Sequence, residues 1–277
     1  MSPIDGRAIA KAITAEVSEG VAALRARDVV PTLAVLVPTR DEATAWYVRS
    51  IQRAAGKVGV DCRVVQLDDP AERDITRALD ELSADASVHG VICQTPLPEG
   101  VRLDEVAGHI APAKDVDGAN PLSLGRLAAG LPSYAPATAA AVLEILHREA
   151  VPLAGARAVV VGRSTVVGKP AALLLVNEHA TVTVCHSRTK DLAAATAEAD
   201  VLVVAVGRAG FIGAEHVRPG AVVIDVGTNP TADGGLAGDV QYDAVAAVAG
   251  SITPVPGGVG PVTTALLLRH TVAAAEG

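Results

Sequence analysis

The stretch VVVGRSTVVGKP, residues 159–170, decides how this chain folds. It is apolar up to Gly162, turns polar for a few residues, and passes Gly168 into an apolar run of helical character. Gly162 permits a tight turn at the strand end, Ser164 offers a hydroxyl, and Gly168 lets a helix start close against a sheet. A helix beginning there presents unpaired N–H groups and the positive end of its dipole to a phosphate. The spacing is G-x-S-x-x-x-G, not the usual G-x-G-x-x-G, so the turn alone reads equally well as a packing corner between strand and helix.

On either side of this stretch the same alternation continues. Upstream, the strand-length apolar runs TLAVLVP (32–38), CRVVQL (62–67) and VHGVICQ (88–94) alternate with longer segments of helical period, the pattern of βαβ units and a parallel sheet. This first region ends near residue 120, and helical period over 137–150 bridges to a second. From Arg157 come RAVVVG, a helix over 168–178, TVTVCH, a helix over 189–198, DVLVVAVG and AVVIDVG, which together predict a second sheet. The Gly/Pro-dense TPVPGGVGPVT, 253–263, reads as an irregular loop and a candidate site element before a last helix, TALLLRHTVAAA. The expected fold class is α/β, in two lobes with parallel sheets.

Composition narrows the function. The chain has 277 residues, half of them apolar, enough for one large domain or two modest ones. Only 2% are aromatic and the net charge is −8, which argues against nucleic acid: few rings can stack on bases, and a polyanion is repelled. Cys62, Cys93 and Cys185 are isolated, without a CxxC pair, so no metal site is expected and a reducing, cytoplasmic setting fits. The opening MSPIDGRAIAKAI lacks the basic start and apolar core of a signal peptide, and no apolar run approaches the roughly 20 residues that span a bilayer, so no membrane is expected.

The strand after the turn shifts the balance toward a nucleotide. An NAD site holds the ribose hydroxyls with an acid at the end of its second strand, whereas TVTVCHSRT ends in His186, Ser187 and Arg188. An arginine where the acid is missing favours the 2′-phosphate of NADP, and Arg163 in the turn supplies a second cation.

The motifs IDG (4–6), QTPLP (94–98), KDVDG (114–118), GRSTVVGKP (162–170), CHSRT (185–189), IDVG (224–227) and PVPGGVGP (254–261) together resemble the methylenetetrahydrofolate dehydrogenase/cyclohydrolase family of one-carbon metabolism. The resemblance covers nearly the whole chain. It implies a folate lobe over 1–136 completed by the C-terminal helix 262–277, and a Rossmann-like NADP lobe over 137–261, with a cleft between them. It implies NADP as cofactor, a tetrahydrofolate derivative as substrate, and a homodimer. By motif, Asp117 grips the pterin, Gln94 stands close to the reacting carbon, Tyr47 faces the folate, and the loop containing Pro256, Gly257, Gly258 and Pro261 closes over folate and nicotinamide. Gly162, Arg163, Ser164, Gly168, His186, Ser187, Arg188, Gly207 and Gly227 fall to the cofactor.

One departure bears on the chemistry. The family's Y-x-x-x-K motif is here Tyr47-x-x-x-Ile51, so the motif lysine is missing. At about 100° per residue Arg49 and Arg53 project away from Tyr47's face, and Lys57 lies roughly 15 Å along the helix. Pro38 stands where the family has Gly, the segment from there to the tyrosine is one residue shorter, and Y-A-P-A-T, Tyr134 to Thr138, replaces C-T-P-x-G. Oxidising methylenetetrahydrofolate needs alignment and an acceptor; hydrolysing the methenyl product needs general acid–base work, a contribution of roughly 10²–10⁴-fold. The expectation is an NADP-dependent dehydrogenase with weak or absent cyclohydrolase activity. Two alternatives remain: a folate enzyme that passes its methylene to another amine, and a non-catalytic NADP-binding paralogue.

Overall fold

The computed structural model describes residues 2–277. In chain order its first elements are β1 (Ser2–Pro3), α1 (Gly6–Arg25), β2 (Thr32–Val37), α2 (Glu42–Val58), β3 (Asp61–Gln66), α3 (Glu72–Ala84), β4 (Gly90–Cys93), α4 (Leu103–Val106), α5 (Pro121–Ala128) and α6 (Ala137–Arg148). There follow β5 (Arg157–Val161), α7 (Gly168–Asn177), β6 (Thr181–Cys185), α8 (Leu192–Thr196), β7 (Val201–Val204), β8 (Val222–Asp225), β9 (Asn229–Pro230), β10 (Leu236–Ala237), α9 (Tyr242–Ala246), β11 (Ser251–Ile252) and α10 (Val259–Glu276). No helix among the described residues is long and apolar enough to cross a membrane.

The chain divides into two units. One comprises residues 11–137 with 264–277, and is built on a parallel sheet of order β3-β2-β4. Every residue of β2 is buried, as a central strand covered on both faces requires. Ala34, Leu36, Ile75, Leu79, Val91, Val106 and Ile110 form one core there, each of the larger side chains stabilising the fold by about 1.5–3 kcal/mol on burial. Local chemistry fixes the bounds of α2. The Asp41 carboxylate accepts the Thr44 N–H at 2.7 Å to cap its start, and Gly59, at φ +84°, ends it in the left-handed conformation.

The other unit comprises the residues up to Ala10 with 138–263. Its sheet, of order β1-β11-β8-β7-β5-β6, is parallel throughout, and β9 and β10 form a separate antiparallel pair. The apolar runs of the sequence become β5 to β8, and Val159, Val161, Leu202, Val204, Val223 and Ile252 pack in its core.

Two expectations are corrected. The first residues were grouped with 11–136, but Ser2 and Pro3 pair with Ser251 and Ile252, which makes β1 an edge strand of the second sheet. Nothing in a two-residue strand announces its partner, so composition could not have shown this. The segment 253–263 was read as wholly irregular, yet α10 starts at Val259. Pro261 sits in the first turn of that helix, where a residue without an N–H breaks no helical hydrogen bond.

Candidate active site

In the unit built on β2 to β4, the N-terminus of α2 is tied to the QTPLP segment. The Thr44 hydroxyl is 2.9 Å from Asp41 Oδ2 and donates to the Thr95 carbonyl at 3.0 Å. This fixes Tyr47, one turn into α2, in register with Gln94, which follows β4 and anchors its backbone N–H on Leu36 at 2.8 Å. Gln94 is 8% exposed, and its side-chain amide has no hydrogen-bond partner among the described residues, so it keeps both its donor and its acceptor for a ligand.

The KDVDG segment places two carboxylates with different tasks. Asp115 is fully buried and accepts from the Ser123 hydroxyl at 2.6 Å and the backbone N–H groups of Ala119 and Asn120, a structural knot. Asp117 accepts a single long bond, from the Ala137 N–H at 3.3 Å. Burial, with the charge of Asp115 adding to it, pushes its pKa up to about 7. Gly118, at φ +59°, lies so close to the backbone of Tyr134 to Pro136 that a Cβ would overlap it, so Y-A-P-A-T is seated directly on KDVDG.

Tyr47 lies in the field of Asp117. Burial first, and that charge second, raise its phenol well above the ordinary range, while a hydrogen bond to Thr264 on α10 pulls the other way. Thr264 was not foreseen; it sits in a helix of Ala and Leu and belongs to no motif. One turn beyond Tyr47, Ile51 is 0% exposed. Arg49, Arg53 and Lys57 all point into solvent, so α2 offers no cation in its place.

In the other unit, Gly162, His186, Gly207 and Gly227 follow the C-terminal ends of β5, β6, β7 and β8, the edge where parallel α/β sheets bind ligands. A Cβ on Gly162 would strike the Ala205 carbonyl and one on Gly168 the Gly162 carbonyl, which explains both glycines by close approach. The amides at the start of α7 are not left open as anticipated. Ser164 Oγ accepts from Val167 and Gly168 at 3.1 and 3.3 Å, and the Ser164 carbonyl accepts from Lys169 at 3.0 Å. The N–H groups of Arg163, Ser164, Thr165 and Val166 in the exposed turn have no partner among the described residues, and the Ser164 hydroxyl keeps its proton to donate.

Arg163 and Arg188 are exposed, and among the described residues neither guanidinium is paired. His186 shapes the second loop: its ring Nδ1 accepts the Arg188 N–H at 3.1 Å, and its own N–H donates to the Thr189 hydroxyl at 2.8 Å, leaving Ser187 exposed at the tip. Free amides and unpaired cations at one sheet edge, with no acid at the end of β6, fit the phosphates of a nucleotide.

Gly207 and Gly227 do not offer their own N–H groups. Asp239 accepts from Val206, Gly207 and Arg208 at 2.6, 2.9 and 2.7 Å, and Asp225 accepts from Gly227 at 2.9 Å. These two buried aspartates went unrecognised, although IDVG contains one of them. The Pro256–Pro261 segment is held in the same unit: a Cβ on Gly6 would overlap the Gly258 carbonyl, so the IDG and PVPGG motifs pack on one another.

Comparison with known proteins shows the family. A family model described as tetrahydrofolate dehydrogenase/cyclohydrolase, catalytic domain, matches residues 4–117, and one described as tetrahydrofolate dehydrogenase/cyclohydrolase, NAD(P)-binding domain, matches residues 136–277. The chain belongs to the tetrahydrofolate dehydrogenase/cyclohydrolase family. It is 64% identical, over 278 residues and 100% of both chains, to the bifunctional protein FolD of Parafrankia sp. (strain EAN1pec). Among solved structures it is similar to the bifunctional FolD enzyme of Campylobacter jejuni, with a TM-score of 0.97 and 37% identity, covering 100% of this chain and 99% of that one. It is also similar to the FolD dehydrogenase-cyclohydrolase of Trypanosoma brucei complexed with NADP and an inhibitor, with a TM-score of 0.95 and 38% identity, covering 100% and 97%. As a tetrahydrofolate dehydrogenase/cyclohydrolase, the chain is an oxidoreductase of folate one-carbon metabolism with an NAD(P)-binding domain.

Proposed function

We propose that this enzyme oxidises 5,10-methylenetetrahydrofolate to 5,10-methenyltetrahydrofolate with NADP, and that it hydrolyses the methenyl product weakly or not at all. One observation carries the second half: Ile51 is fully buried one helical turn from Tyr47, while Arg49, Arg53 and Lys57 are exposed. No cation on α2 can exchange a proton where the family pattern has a lysine. NADP, when bound, supplies the acceptor for the two electrons and the hydrogen that leave the methylene carbon.

The residues of the chain do the rest. Asp117, once ionised, accepts from the N–H donors of a pterin; Gln94 offers an amide near the reacting carbon; and Tyr47 closes that side. These groups align the substrate, which is the larger need of an oxidation whose cationic product is stabilised by neighbouring nitrogen lone pairs. The turn at 162–168 and the loop at 186–189 hold phosphates, with Arg163 and Arg188 favouring NADP over NAD.

Mixing the purified protein with methylenetetrahydrofolate and NADP, and following NADPH and methenyl product by absorbance before an acid quench, tests both halves. Methenyl accumulating with NADPH is the expected result. NADPH without methenyl would mean that another group hydrolyses the product, as the name "bifunctional" given to the Parafrankia relative implies for that protein. No NADPH would turn the assignment to transfer of the methylene to another amine. The same reading makes the protein a cytoplasmic homodimer, in keeping with three free cysteines, and light scattering on the purified protein checks the dimer.

A further inference from the structure

We infer that His270 is a positioning residue for Asp117, holding the peptide on which that carboxylate is mounted; this rests on the proposed reading of Asp117 as the pterin-binding group. His270 is half-buried on α10, and its ring Nδ1 lies 2.8 Å from the Val116 carbonyl. A carbonyl only accepts, so the ring nitrogen is the donor and the bond requires a proton on Nδ1. That carbonyl belongs to the peptide leading into Asp117, and fixing it sets the direction in which the Asp117 side chain starts. The close approach of α10 is built in at Gly90, where β4 begins. A Cβ there would come within 2.9 Å of the Thr271 hydroxyl and 3.0 Å of the Val116 methyls, so only a glycine lets the helix and Val116 meet over it.

Tyr134 completes the arrangement. Its ring lies against the imidazole, with centroids 5.1 Å apart and planes tilted by 37°, and the backbone from Tyr134 to Pro136 is the stretch that abuts Gly118. The residues on either side of Asp117 are therefore each held from outside the KDVDG segment, Val116 by α10 and Gly118 by Tyr134 to Pro136, and the two holders touch one another. Asp117 depends on such support more than its neighbour does. Asp115 orients itself through three bonds of 2.6, 2.9 and 3.0 Å, whereas the Asp117 carboxylate accepts the Ala137 N–H at 3.3 Å. His270 acts through Asp117 and need not touch the substrate.

A double-mutant cycle tests this, with His270→Leu, His270→Asn, Asp117→Asn and the His270→Leu/Asp117→Asn pair measured as NADPH formation. His270→Leu should raise KM for methylenetetrahydrofolate about three- to tenfold, the factor one net hydrogen bond supplies, and leave KM for NADP unchanged. His270→Asn, whose amide donates from the place of Nδ1, should restore most of the loss. In the Asp117→Asn background His270→Leu should have no further effect. An unchanged folate KM in His270→Leu, no rescue by His270→Asn, or losses that multiply in the pair would overturn the assignment. Equal rises in both KM values would do the same, marking a general loosening of the fold. Should His270→Leu fail to fold, His270→Gln, whose amide lies at the place of Nε2, takes its position in the cycle. If the unmutated protein forms no NADPH, the proposed reaction fails by itself. The same variants titrated calorimetrically with tetrahydrofolate then decide the positioning role: non-additive affinities support it, and additive ones, or no binding at all, sink it.

Discussion

Asp225 Oδ1 accepts the backbone N–H of Asp239 at 3.0 Å, so one buried carboxylate fixes the backbone from which the other projects. Asp225 Oδ2 also accepts from Val240 at 3.0 Å, and Asp239 then gathers the amides that follow β7. Two acids therefore stitch together three loops at the edge of the nucleotide-binding sheet.

Replacing Asp239 with Ala would strand three backbone donors and the Asn229 side-chain amide, which Asp239 accepts at 2.9 Å. These donors are only part-buried, so each costs less than the about 1–3 kcal/mol of a fully buried unmade donor, and Asp239→Ala should lose about 1–3 kcal/mol in urea denaturation. NADP affinity should fall while tetrahydrofolate affinity holds. A variant as stable as the unmutated protein would show that the network contributes little.

Asp117 makes the enzyme pH-dependent. Its pKa is raised in the folded state to about 7, so the stability it contributes is complete below the ordinary carboxylate value and is lost as pH rises through about 7. Because the group is only partly buried, the effect should be about 1 kcal/mol, a Tm change of about 2–4 °C for a chain of this size. Activity should run the opposite way, kcat/KM for the folate at saturating NADP rising through about 7 as the carboxylate proposed to bind the pterin forms. In Asp117→Asn both dependences should flatten, with kcat/KM about 10–100-fold lower, the worth of a hydrogen bond to a charged group. An unchanged inflection in that variant would assign the titration elsewhere.

Ile51→Lys places an ammonium at a position that is now sealed from water. Hydrolysis of methenyltetrahydrofolate, read from the decay of its absorbance, should rise by roughly 10²-fold, the low end of what general acid–base catalysis supplies. The melting temperature should fall, because an unpaired charge is costly to bury. Ile51→Met should change neither greatly. A lysine variant that hydrolyses no faster would mean that residue 51 alone does not account for the loss.

Arg163→Ala and Arg188→Ala should each raise KM for NADP about 10–100-fold and leave KM for NAD nearly unchanged, since a charge-assisted contact to a phosphate is lost only where the phosphate exists. The effect should shrink at high salt. Equal losses with both cofactors would place these arginines on a shared part of the nucleotide.

Periodicity revealed the frame of both sheets because β2 and β5 to β8 are buried runs of Val, Leu, Ile and Ala, and their strand-to-helix turns are marked by glycines with a steric reason to be there. Tyr47, Gln94 and Asp117 could be named from motifs. Thr264 and Asp239 could not, since each acts on a residue remote in sequence and neither type nor spacing announces that contact. Ser164 was seen as a phosphate ligand, but its part in closing the start of α7 depends on a turn geometry that the sequence does not specify.

The pairing of β1 with β11 and the return of α10 to residues 11–137 carry a consequence for biosynthesis. Emerging from the ribosome, the first strand finds no partner until almost the whole polypeptide has been made, and the unit synthesised first stays unfinished until the last helix arrives. Contacts of such sequence separation form late and slowly. Nascent chains should therefore hold the second sheet without its edge strand, and the first unit without its last helix, until almost the whole chain has emerged, and a gene split after codon 137 would yield two fragments that each lack a piece of their own unit.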